Sequence, residues 1–392
     1  MCDTLCVAAG RGMLFAKNSD RPIGEVQVVE HHVARPAGTA LRTQYLTIPD
    51  ADAYAFVGSR PTWLWGVEHG VNEHGVAVGN EKIWTVDDPR ACPPALIGMD
   101  LVRLALERAH DADTAVDVLT SLLEEHGQGG SGEADHDEPY FSSFLVADAR
   151  GGWVVETSGR TWAARPVGSG AAISNRVTLR TDWTRASADV EPGRDFDEWR
   201  APDVPTGLAD HRLAATTATI ERAGATDARA LVATLRHHGE RAWGAPGSDP
   251  ADVSPPPAQL APDLSGVTVC MHVRDLQTTA ASMVVELPAG GRPRIWACLG
   301  SPCTGVFVPC FPPALPHQLA DPAQWARFDA LRVRVELDAA QLAHVRSVLG
   351  PIEAELWDEA DAIARRDDPD AERRFADTVW PRVDHGLREL GV

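Results

Sequence analysis

The first 22 residues of the chain, MCDTLCVAAGRGMLFAKNSDRP (1–22), predict two β-strands joined by a tight turn. Two apolar runs in it, TLCVAA and MLFAK, are separated by GRG, which is the pattern of a β-hairpin. The second residue is a cysteine, and the polar stretch FAKNSDRP follows it one hairpin turn later. The hairpin is therefore expected to bring Lys17, Asp20 and Arg21 beside the amino terminus.

Cys2 becomes the first residue if the initiator methionine is removed, a step that a small second residue permits. A cysteine at the amino terminus carries a thiol, with an ordinary pKa of about 8.5, and an α-amine, with one of about 7.7–8.0. The amine can accept the thiol proton, so one residue supplies both nucleophile and general base. A neighbouring carboxylate such as Asp20 would orient the ammonium and raise its pKa, while nearby cations favour the thiolate.

Beyond the hairpin, strand-rich and helix-rich stretches alternate along the chain. Further strands are expected at VQVVEHH (26–32), YAFVG (54–58), GVAVGN (75–80), SSFLVAD (142–148), GWVVET (152–157), WAARPV (162–167), VTVCMHV (267–273), ASMVVEL (281–287) and RIWACL (294–299). Helices are expected from about 99 to 125, at 210–222, at 226–238 with Thr226 as N-cap, and from 322 onward. A polar loop (127–139) and a proline-rich surface excursion (244–263) separate them. Hairpin-type connections indicate antiparallel sheets covered by helices, the layered α+β class.

Composition limits the classes of function. The 392 residues are 44% apolar and 23% charged, the profile of a globular protein with a sizeable core. Lys and Arg number 36 against 56 Asp and Glu, so the net charge of −20 argues against a nucleic acid or an anionic membrane as partner. The sequence has no apolar run of membrane-spanning length and no basic-then-apolar leader. Seven scattered cysteines then suggest reduced thiols in a cytoplasmic protein.

Lysine and asparagine are rare in this chain and unevenly placed. Lysine occurs only at positions 17 and 82, and asparagine only at positions 18, 72, 80 and 175. Arginine replaces lysine easily on a surface, but not where a compact ammonium is needed. These residues therefore either form a polar site or serve as ordinary turn and cap residues.

Several longer segments carry a resemblance to a known family. They are MCDT (1–4), FAKNSDRP (15–22), SRPTWLWGVEHGVNEHGVAVGNE (59–81), GMDLVRLALERA (98–109) with GQGG (127–130), ISN (173–175), VCMH (269–272), QTTAASMV (277–284) and PCTGVFVP (302–309). In these the chain resembles the secernins, also described as dipeptidase-A-type cysteine peptidases, within the N-terminal-nucleophile hydrolases. The resemblance weakens after about residue 332. It implies a four-layer αββα sandwich of antiparallel sheets, as a hydrolase domain over 1–315 with a C-terminal helical extension over 316–392 packing on it.

The resemblance also implies roles for single residues. By similarity to the wider relatives, the choloylglycine hydrolases and penicillin V acylases, Cys2 matches the nucleophile and Asp20 the carboxylate that holds its amino group. Asn80 and Asn175 match the positions that support the oxyanion and the α-amine. Asn80, at a strand end, could donate its side-chain N–H to a developing oxyanion.

Other positions depart from the relatives or match them poorly. Lys17 falls where the relatives carry an arginine, which suggests a different substrate end. Arg212 is the best counterpart of a second arginine, in a locally poor match. The residues expected to contact substrate are Arg21, Trp63, Trp65, Glu81 and Lys82; for the tryptophans, packing in the core is an equal alternative.

The resulting hypothesis is a cysteine hydrolase that cleaves a small amide or dipeptide bond through a Cys2 thioester, without metal or organic cofactor. An acyltransferase using the same thioester and a non-catalytic, secernin-like interaction protein are the alternatives. The expected partner is a small peptide or amide substrate, and self-association into a homo-oligomer is left open.

A metal site is the competing interpretation of the remaining cysteines and histidines. Cys270 and His272 share one face of a predicted strand, and Cys298, Cys303 and Cys310 follow. No C-x-x-C or H-E-x-x-H spacing occurs, so these cysteines are interpreted as small core residues and no metal is expected. His69 and His74 are assigned to a turn between strands, and the pair at 237–238 to the surface.

Overall fold

The computed structural model of the protein describes residues 1–222, 226–239, 266–273, 276–366 and 368–392. Its strands are β1 (Cys2–Ala9), β2 (Gly12–Pro22), β3 (Gln27–His32), β4 (Ala40–Arg42), β5 (Thr47–Pro49), β6 (Phe56–Pro61), β7 (His69–Asn72), β8 (Ala77–Ile83), β9 (Phe141–Asp148), β10 (Gly151–Ser158), β11 (Thr161–Val167), β12 (Gly170–Ile173), β13 (Arg185–Ala186), β14 (His272–Val273), β15 (Gln277–Pro288), β16 (Arg294–Leu299) and β17 (Val308–Cys310). Its α-helices are α1 (Gly98–Arg108), α2 (Ala112–His126), α3 (Asp210–Glu221), α4 (Ala228–Leu235), α5 (Pro322–Leu337), α6 (Gln341–Ala364) and α7 (Pro369–Glu389). None of the helices in these residues is both long and apolar enough to cross a membrane.

The strands form two large antiparallel sheets. The first has the order β12-β1-β2-β15-β16-β17, with β14 pairing with β15, and the second has the order β13-β11-β10-β9-β8-β7-β6-β3. The N-terminal hairpin lies near the centre of the first sheet, with Cys2 opposite Ser19 in the register of β1 and β2. The central strands of the second sheet, β8 and β9, lie against β1.

Helices cover the outer face of each sheet. Helices α1 and α2 pack on the second sheet, against β7, β8, β9 and β10, while α3 and α4 pack on the first, against β1, β2, β12 and β15. The layers therefore run helix, sheet, sheet, helix, and the expected αββα sandwich of the α+β class is confirmed.

Both faces of the central strands are buried, which explains the nearly continuous apolar runs of the hairpin. Along β1, Cys6 faces the core between the sheets, while Leu5 and Val7 face the outer layer that contains α4. Along β2, Phe15 faces the core between the sheets and Leu14 faces the outer layer.

The three C-terminal helices share the apolar core of the sandwich. Trp325 and Phe328 of α5 belong to the same buried cluster as Ile295 and Leu299 of β16. Trp325 also donates its indole N–H to the carbonyl oxygen of Ala280, in β15, at 2.8 Å. The division of the chain at residue 315 stays a prediction.

Most of the predicted elements are confirmed, including the hairpin, the β9–β11 meander and the helical C-terminal part. The helical stretch expected over 99–125 is confirmed and consists of two helices, because Asp111 caps the second by accepting from the Thr114 N–H. Two local predictions were wrong in detail. The N-cap of α4 is Asp227 and not Thr226, since the Asp227 carboxylate accepts from the Ala230 N–H. Of the strand expected over 267–273, only His272–Val273 is a strand, and the excursion predicted at 244–263 lies outside the described residues.

Gly66 allows the segment before β7 to cross the start of α1 at backbone contact. A Cβ at this position would lie 2.3 Å from the carbonyl carbon of Met99 and 2.5 Å from the nitrogen of Asp100. We expect Gly66→Ala to lower the free energy of unfolding by about 1–3 kcal/mol, because backbone must move to make room. Gly168→Ala, where a Cβ meets nothing within 4 Å, is the matched control and should change it by less than about 0.5 kcal/mol. Urea denaturation measures both, and equal midpoints for the two variants would contradict the expectation.

Candidate active site

Cys2 lies in the gap between the two sheets, at the start of β1. Strand alternation puts its side chain on the same face as those of Thr4 and Cys6, which point toward the second sheet. The residue is 6% exposed, and its Sγ accepts a hydrogen bond from the backbone N–H of Asp20 at 3.4 Å. The hairpin thus brings Asp20 to the thiol, as the sequence predicted.

The backbone nitrogen of Cys2 is held by Asn175, in the turn after β12. It donates to Asn175 Oδ1 at 2.8 Å, while Asn175 Nδ2 donates to the carbonyl oxygen of Lys82 at 2.8 Å. The second bond fixes the orientation of the amide, so that its oxygen faces Cys2. The α-amine of Met1 donates to Gln277 Oε1 at 3.0 Å and to the backbone oxygen of Asp20 at 3.4 Å.

Arg212 of α3 joins this region from the outer face of the first sheet. Its fully buried guanidinium donates to Asp3 Oδ2 at 2.7 Å, to the Cys2 carbonyl oxygen at 3.1 Å and to Asn175 Oδ1 at 2.8 Å. Two further bonds reach the carbonyl oxygen of Leu208. Burial raises the pKa of the Asp3 carboxyl, and Arg212 opposes that rise. Arg212, predicted from a poor local match, is thus in direct contact with Cys2 and Asn175.

Asp20 presents one carboxylate oxygen that has no hydrogen-bond partner among the described residues. Oδ1 accepts from the Thr279 hydroxyl at 2.6 Å, whereas Oδ2 is buried and unpaired. Burial raises the pKa of Asp20 to about 6, against the opposing effects of the terminal ammonium and Arg212. An unpaired carboxylate oxygen close to the chain terminus can accept a hydrogen bond from an ammonium there.

Lys17 and Glu81 form a buried ion pair beside the thiol. Lys17 Nζ donates to the carbonyl oxygen of Asn80 at 2.6 Å and lies 3.4 Å from Glu81 Oε1, which also accepts from the Thr4 hydroxyl. Burial raises the pKa of Glu81 to about 7, in spite of Lys17 and Thr4. Burial also raises the pKa of the Cys2 thiol, and Lys17 is the strongest influence that lowers it. Lys17 is thus a cation positioned to favour the thiolate.

The side chain of Asn80 points away from this group, which corrects its expected place beside the thiol. Neighbouring residues of β8 alternate, and Glu81 faces the gap between the sheets. Asn80 lies opposite Phe144 of the outer core, and its Nδ2 lies 3.5 Å from Met99 Sδ in α1. Only its backbone carbonyl reaches Lys17. The alternation is readable from the sequence, but which face is inner is not, since both faces are buried.

The predicted substrate-contacting residues are divided between two places. Arg21 is held by Glu25 and Glu68, at 2.6 and 3.0 Å, and Trp63 donates to the same Glu25 carboxylate. Trp65 packs instead on the outer face of the second sheet, under the guanidinium of Arg103 from α1. This placement corrects the expectation that Trp65 lines the site.

Lys82 borders the site from the end of β8. Its ammonium pairs with Glu138 and lies 5.2 and 5.3 Å from the ring centroids of Trp84 and Tyr140. Its side chain retains 16% exposure. Lys82 therefore presents a positive charge near the surface, next to the residue whose amide holds Cys2.

Met1 packs in an apolar group beside the site. With Trp84, Val204 and Leu276 it lies against a buried cluster. The members of that cluster are Leu208, Val267, Met271 and Val273. A cleft of about 20 Å³ opens between Trp84 and Asn175, enough for roughly one water molecule. The Met1 side chain thus occupies apolar space that adjoins Cys2.

Three residues that hydrogen-bond to groups of the site were not predicted from the sequence. Asp3 pairs with Arg212, Thr279 donates to Asp20, and Gln277 accepts from the Met1 amine. A signal was present for each, because Asp3 stands in MCDT and the other two in QTTAASMV, both segments of the family resemblance. Their partners lie on other strands or helices, so the role could not be read from spacing.

A second cluster of ligand-type side chains lies near the site. Cys270 and Cys303 are buried, as expected of core residues, and both also contact His272 Nε2, at 3.3 and 3.4 Å. His238, expected on the surface, is half-buried, and its ring stacks edge-on to that of His272 with centroids 5.4 Å apart.

No protein-family model matches the chain. Among solved structures it is similar to a conjugated bile acid hydrolase from Clostridium perfringens, at 12% identity over 76% of this chain and 89% of that one, with a TM-score of 0.43. It is also similar to penicillin V acylase from Agrobacterium tumefaciens, at 12% identity over 82% and 88%, with a TM-score of 0.44. The Caenorhabditis elegans ortholog of N-acylethanolamine-hydrolyzing acid amidase gives 10% identity over 60% and 86%, with a TM-score of 0.36. Values at this level assign neither a substrate nor an activity to this chain.

Substitution of Arg212 tests how much its buried contacts contribute to the stability of the protein. Arg212→Met leaves the buried Asp3 carboxylate unpaired, so we expect a loss of about 3–5 kcal/mol in the free energy of unfolding. Arg212→Lys keeps the charge but not the forked geometry, and should fall between this variant and the wild type. Arg229→Met, which breaks the exposed pair with Asp358, is the control and should change little. Urea denaturation followed by fluorescence measures all three, and a wild-type midpoint for Arg212→Met would refute the expectation.

Proposed function

We propose that this protein is an amide-bond hydrolase whose nucleophile is the Cys2 thiol, exposed together with its α-amine by cleavage of the Met1–Cys2 bond. The observation that carries the proposal is the set of groups around the Cys2 nitrogen. Asn175 Oδ1 already accepts from that nitrogen at 2.8 Å, and Asp20 offers a buried carboxylate oxygen that lacks a partner in the described residues. A peptide N–H uses only the Asn175 oxygen, whereas an ammonium at this position has further protons that a second acceptor such as Asp20 can bind.

In the proposed reaction the neutral α-amine of Cys2 takes the thiol proton. The thiolate sulfur bonds to the substrate carbonyl carbon, the C–N bond breaks, and the leaving amine receives the proton from the ammonium. Water then attacks the thioester carbon, which yields a carboxylic acid and restores the thiol. Asp20 and Asn175 orient the amine in both half-reactions.

Lys17 supplies the positive charge in this scheme. It is the strongest influence lowering the pKa of the Cys2 thiol, so it favours the thiolate, and a fixed cation beside the reacting carbonyl also stabilises a developing oxyanion. Lys17 thereby takes the oxyanion-stabilising role that the sequence had suggested for the Asn80 side chain, which faces α1.

The Met1 environment suggests the kind of substrate. Loss of Met1 would vacate an apolar recess bordered by Trp84, Val204 and Leu276, and Lys82 lies beside Trp84 at its edge. A small substrate with one apolar side chain and a free carboxylate, as in a dipeptide or an N-acyl amino acid, matches these features.

Producing the protein in two N-terminal forms tests the nucleophile. A leader that is cut before Cys2 should give an active enzyme, and the same protein with the leader uncut should be inactive, because its Cys2 nitrogen is an amide and not a base. In the cut form, Cys2→Ala should lower kcat/KM for dipeptides and N-acyl amino acids by a factor of about 10³ or more. Cys6→Ala, at a buried cysteine of the same strand whose thiol pKa burial raises to about 12, is the matched control.

Intact mass after brief iodoacetamide treatment gives an independent measurement. We expect one rapid label, at Cys2, in the cut form and in Cys6→Ala, and none in Cys2→Ala. A cut form whose Cys2 is no more reactive than the other cysteines would contradict the proposal.

The pKa of Asp20 predicts one inflection on the acid side of the activity profile. Burial raises this pKa to about 6 with Met1 in place. Because Asp20 must be ionised to hold the amine, kcat/KM of the cut form should show an inflection from Asp20 at lower pH than the one at which the Cys2 α-amine loses its proton. Asp20→Asn should be less active at every pH and lack that inflection. The pH dependence of kcat/KM measures this, and an unchanged inflection in Asp20→Asn would assign it to another group.

A further inference from the structure

We propose that His238, Cys270, His272 and Cys303 form a tetrahedral site for a structural zinc ion. The candidate ligand atoms of the four residues all lie within 4.8 Å of one another. They come from three parts of the fold: the stretch after α4, the segment 270–272 that leads into β14, and the turn after β16. Two cysteines with two histidines form one of the common ligand sets of structural zinc.

The distances suit zinc with small adjustments. Zinc bonds of about 2.3 Å to sulfur and 2.0–2.1 Å to nitrogen, in a tetrahedron, place ligand atoms about 3.3–3.8 Å apart. His272 Nε2 lies 3.3 Å from Cys270 Sγ and 3.4 Å from Cys303 Sγ. Both sulfur–nitrogen distances thus already agree with a tetrahedral site. Since no pair exceeds 4.8 Å, the fourth needs to shift by about 1 Å.

The second nitrogen of His272 provides an independent observation. Its Nδ1 lies 2.8 Å from Glu336 Oε1 in α5, and Glu336 is itself held by Arg332, one helical turn earlier. A carboxylate on the far nitrogen of a histidine fixes the ring so that Nε2 points to a metal, as in carboxylate–histidine–zinc triads. The arrangement orients Nε2 toward both cysteines.

Four protein ligands close the coordination shell, so the ion would support structure and not chemistry. The segment 266–273, which ends in β14, carries ligands at 270 and 272, while Val267, Met271 and Val273 of the same segment line the apolar recess around Met1. The backbone N–H of Met271 also bonds to the Thr279 hydroxyl, which donates to Asp20. Zinc would therefore fix the position of the segment that lines the Met1 recess of the candidate active site.

Metal analysis of the full-length protein, expressed with added zinc and dialysed, is the first measurement. We expect about one zinc per chain by mass spectrometry of the metal content. Cobalt added to metal-free protein should give the visible bands of a tetrahedral Co²⁺ site with a thiolate charge-transfer band. Cys303→Ser and His272→Gln should lose both signals, and Cys310→Ser, at a buried cysteine outside the cluster, should keep them.

Glu336→Gln tests the supporting carboxylate. This variant should still bind cobalt tetrahedrally, but with about 10–100-fold weaker affinity in competition with a chromophoric chelator. Because cobalt titration uses metal-free wild-type protein, the test remains valid if a cysteine variant fails to fold.

Three results would overturn the proposal. One is wild-type protein without zinc and without tetrahedral cobalt bands. Another is iron in place of zinc. The third is a loss of two free thiols in metal-free protein, which would assign Cys270 and Cys303 to a disulfide.

Discussion

The candidate site depends on one buried guanidinium. Arg212 crosses from the helical layer into the first sheet and donates to three groups at the amino terminus, namely the Asp3 carboxylate, the Cys2 carbonyl and the Asn175 amide. The guanidinium thus connects the start of β1 to α3 and to the segment after β12. Its rigid fork also fixes the amide orientation that presents Asn175 Oδ1 to the Cys2 nitrogen.

Several ionisable side chains are buried around Cys2, and ion pairing offsets much of the cost of removing their charges from water. Lys17 is matched by Glu81, Arg21 by Glu25 and Glu68, and Arg212 by Asp3. Buried pairs of this kind contribute little net stability compared with apolar packing, but removing one partner is costly. Asp3, Asp20 and Glu81 each keep one buried carboxylate oxygen without a hydrogen-bond partner in the described residues, but Asp3 and Glu81 are paired with Arg212 and Lys17, and Asp20 is not matched by a basic side chain there. Ionisable groups with perturbed pKa values cluster at functional sites, so Asp20 is a candidate for one.

The elements predicted correctly are those that short-range sequence patterns determine. The hairpin, the meander and the helices of the layered α+β sandwich follow from strand alternation, helical spacing and turn residues within short windows. The site was predictable in part, because Cys2, Lys17 and Asp20 lie on one hairpin, whereas Asn175 was indicated only by the rarity of asparagine and by the family resemblance. The side-chain direction of Asn80 was not predictable, since β8 is buried on both faces and apolarity does not distinguish them. A metal site at Cys270, His272 and Cys303 was considered from the sequence and set aside, because these residues and His238 meet through tertiary contacts that no sequence spacing indicates.

The position of Met1 has a consequence for how the protein would mature. In the folded chain the Met1 amine is tied to Gln277 and Asp20, its side chain packs beside Trp84, and the following nitrogen is bonded to Asn175. A peptidase needs several extended residues around the bond that it cuts, and β1 is already paired with β2 from Cys2 onward. In the proposed maturation, cutting is therefore expected before the hairpin closes. Synthesis that outpaces this trimming would leave a correctly folded population locked in an inert form, so the fraction of competent molecules would be decided by timing during translation.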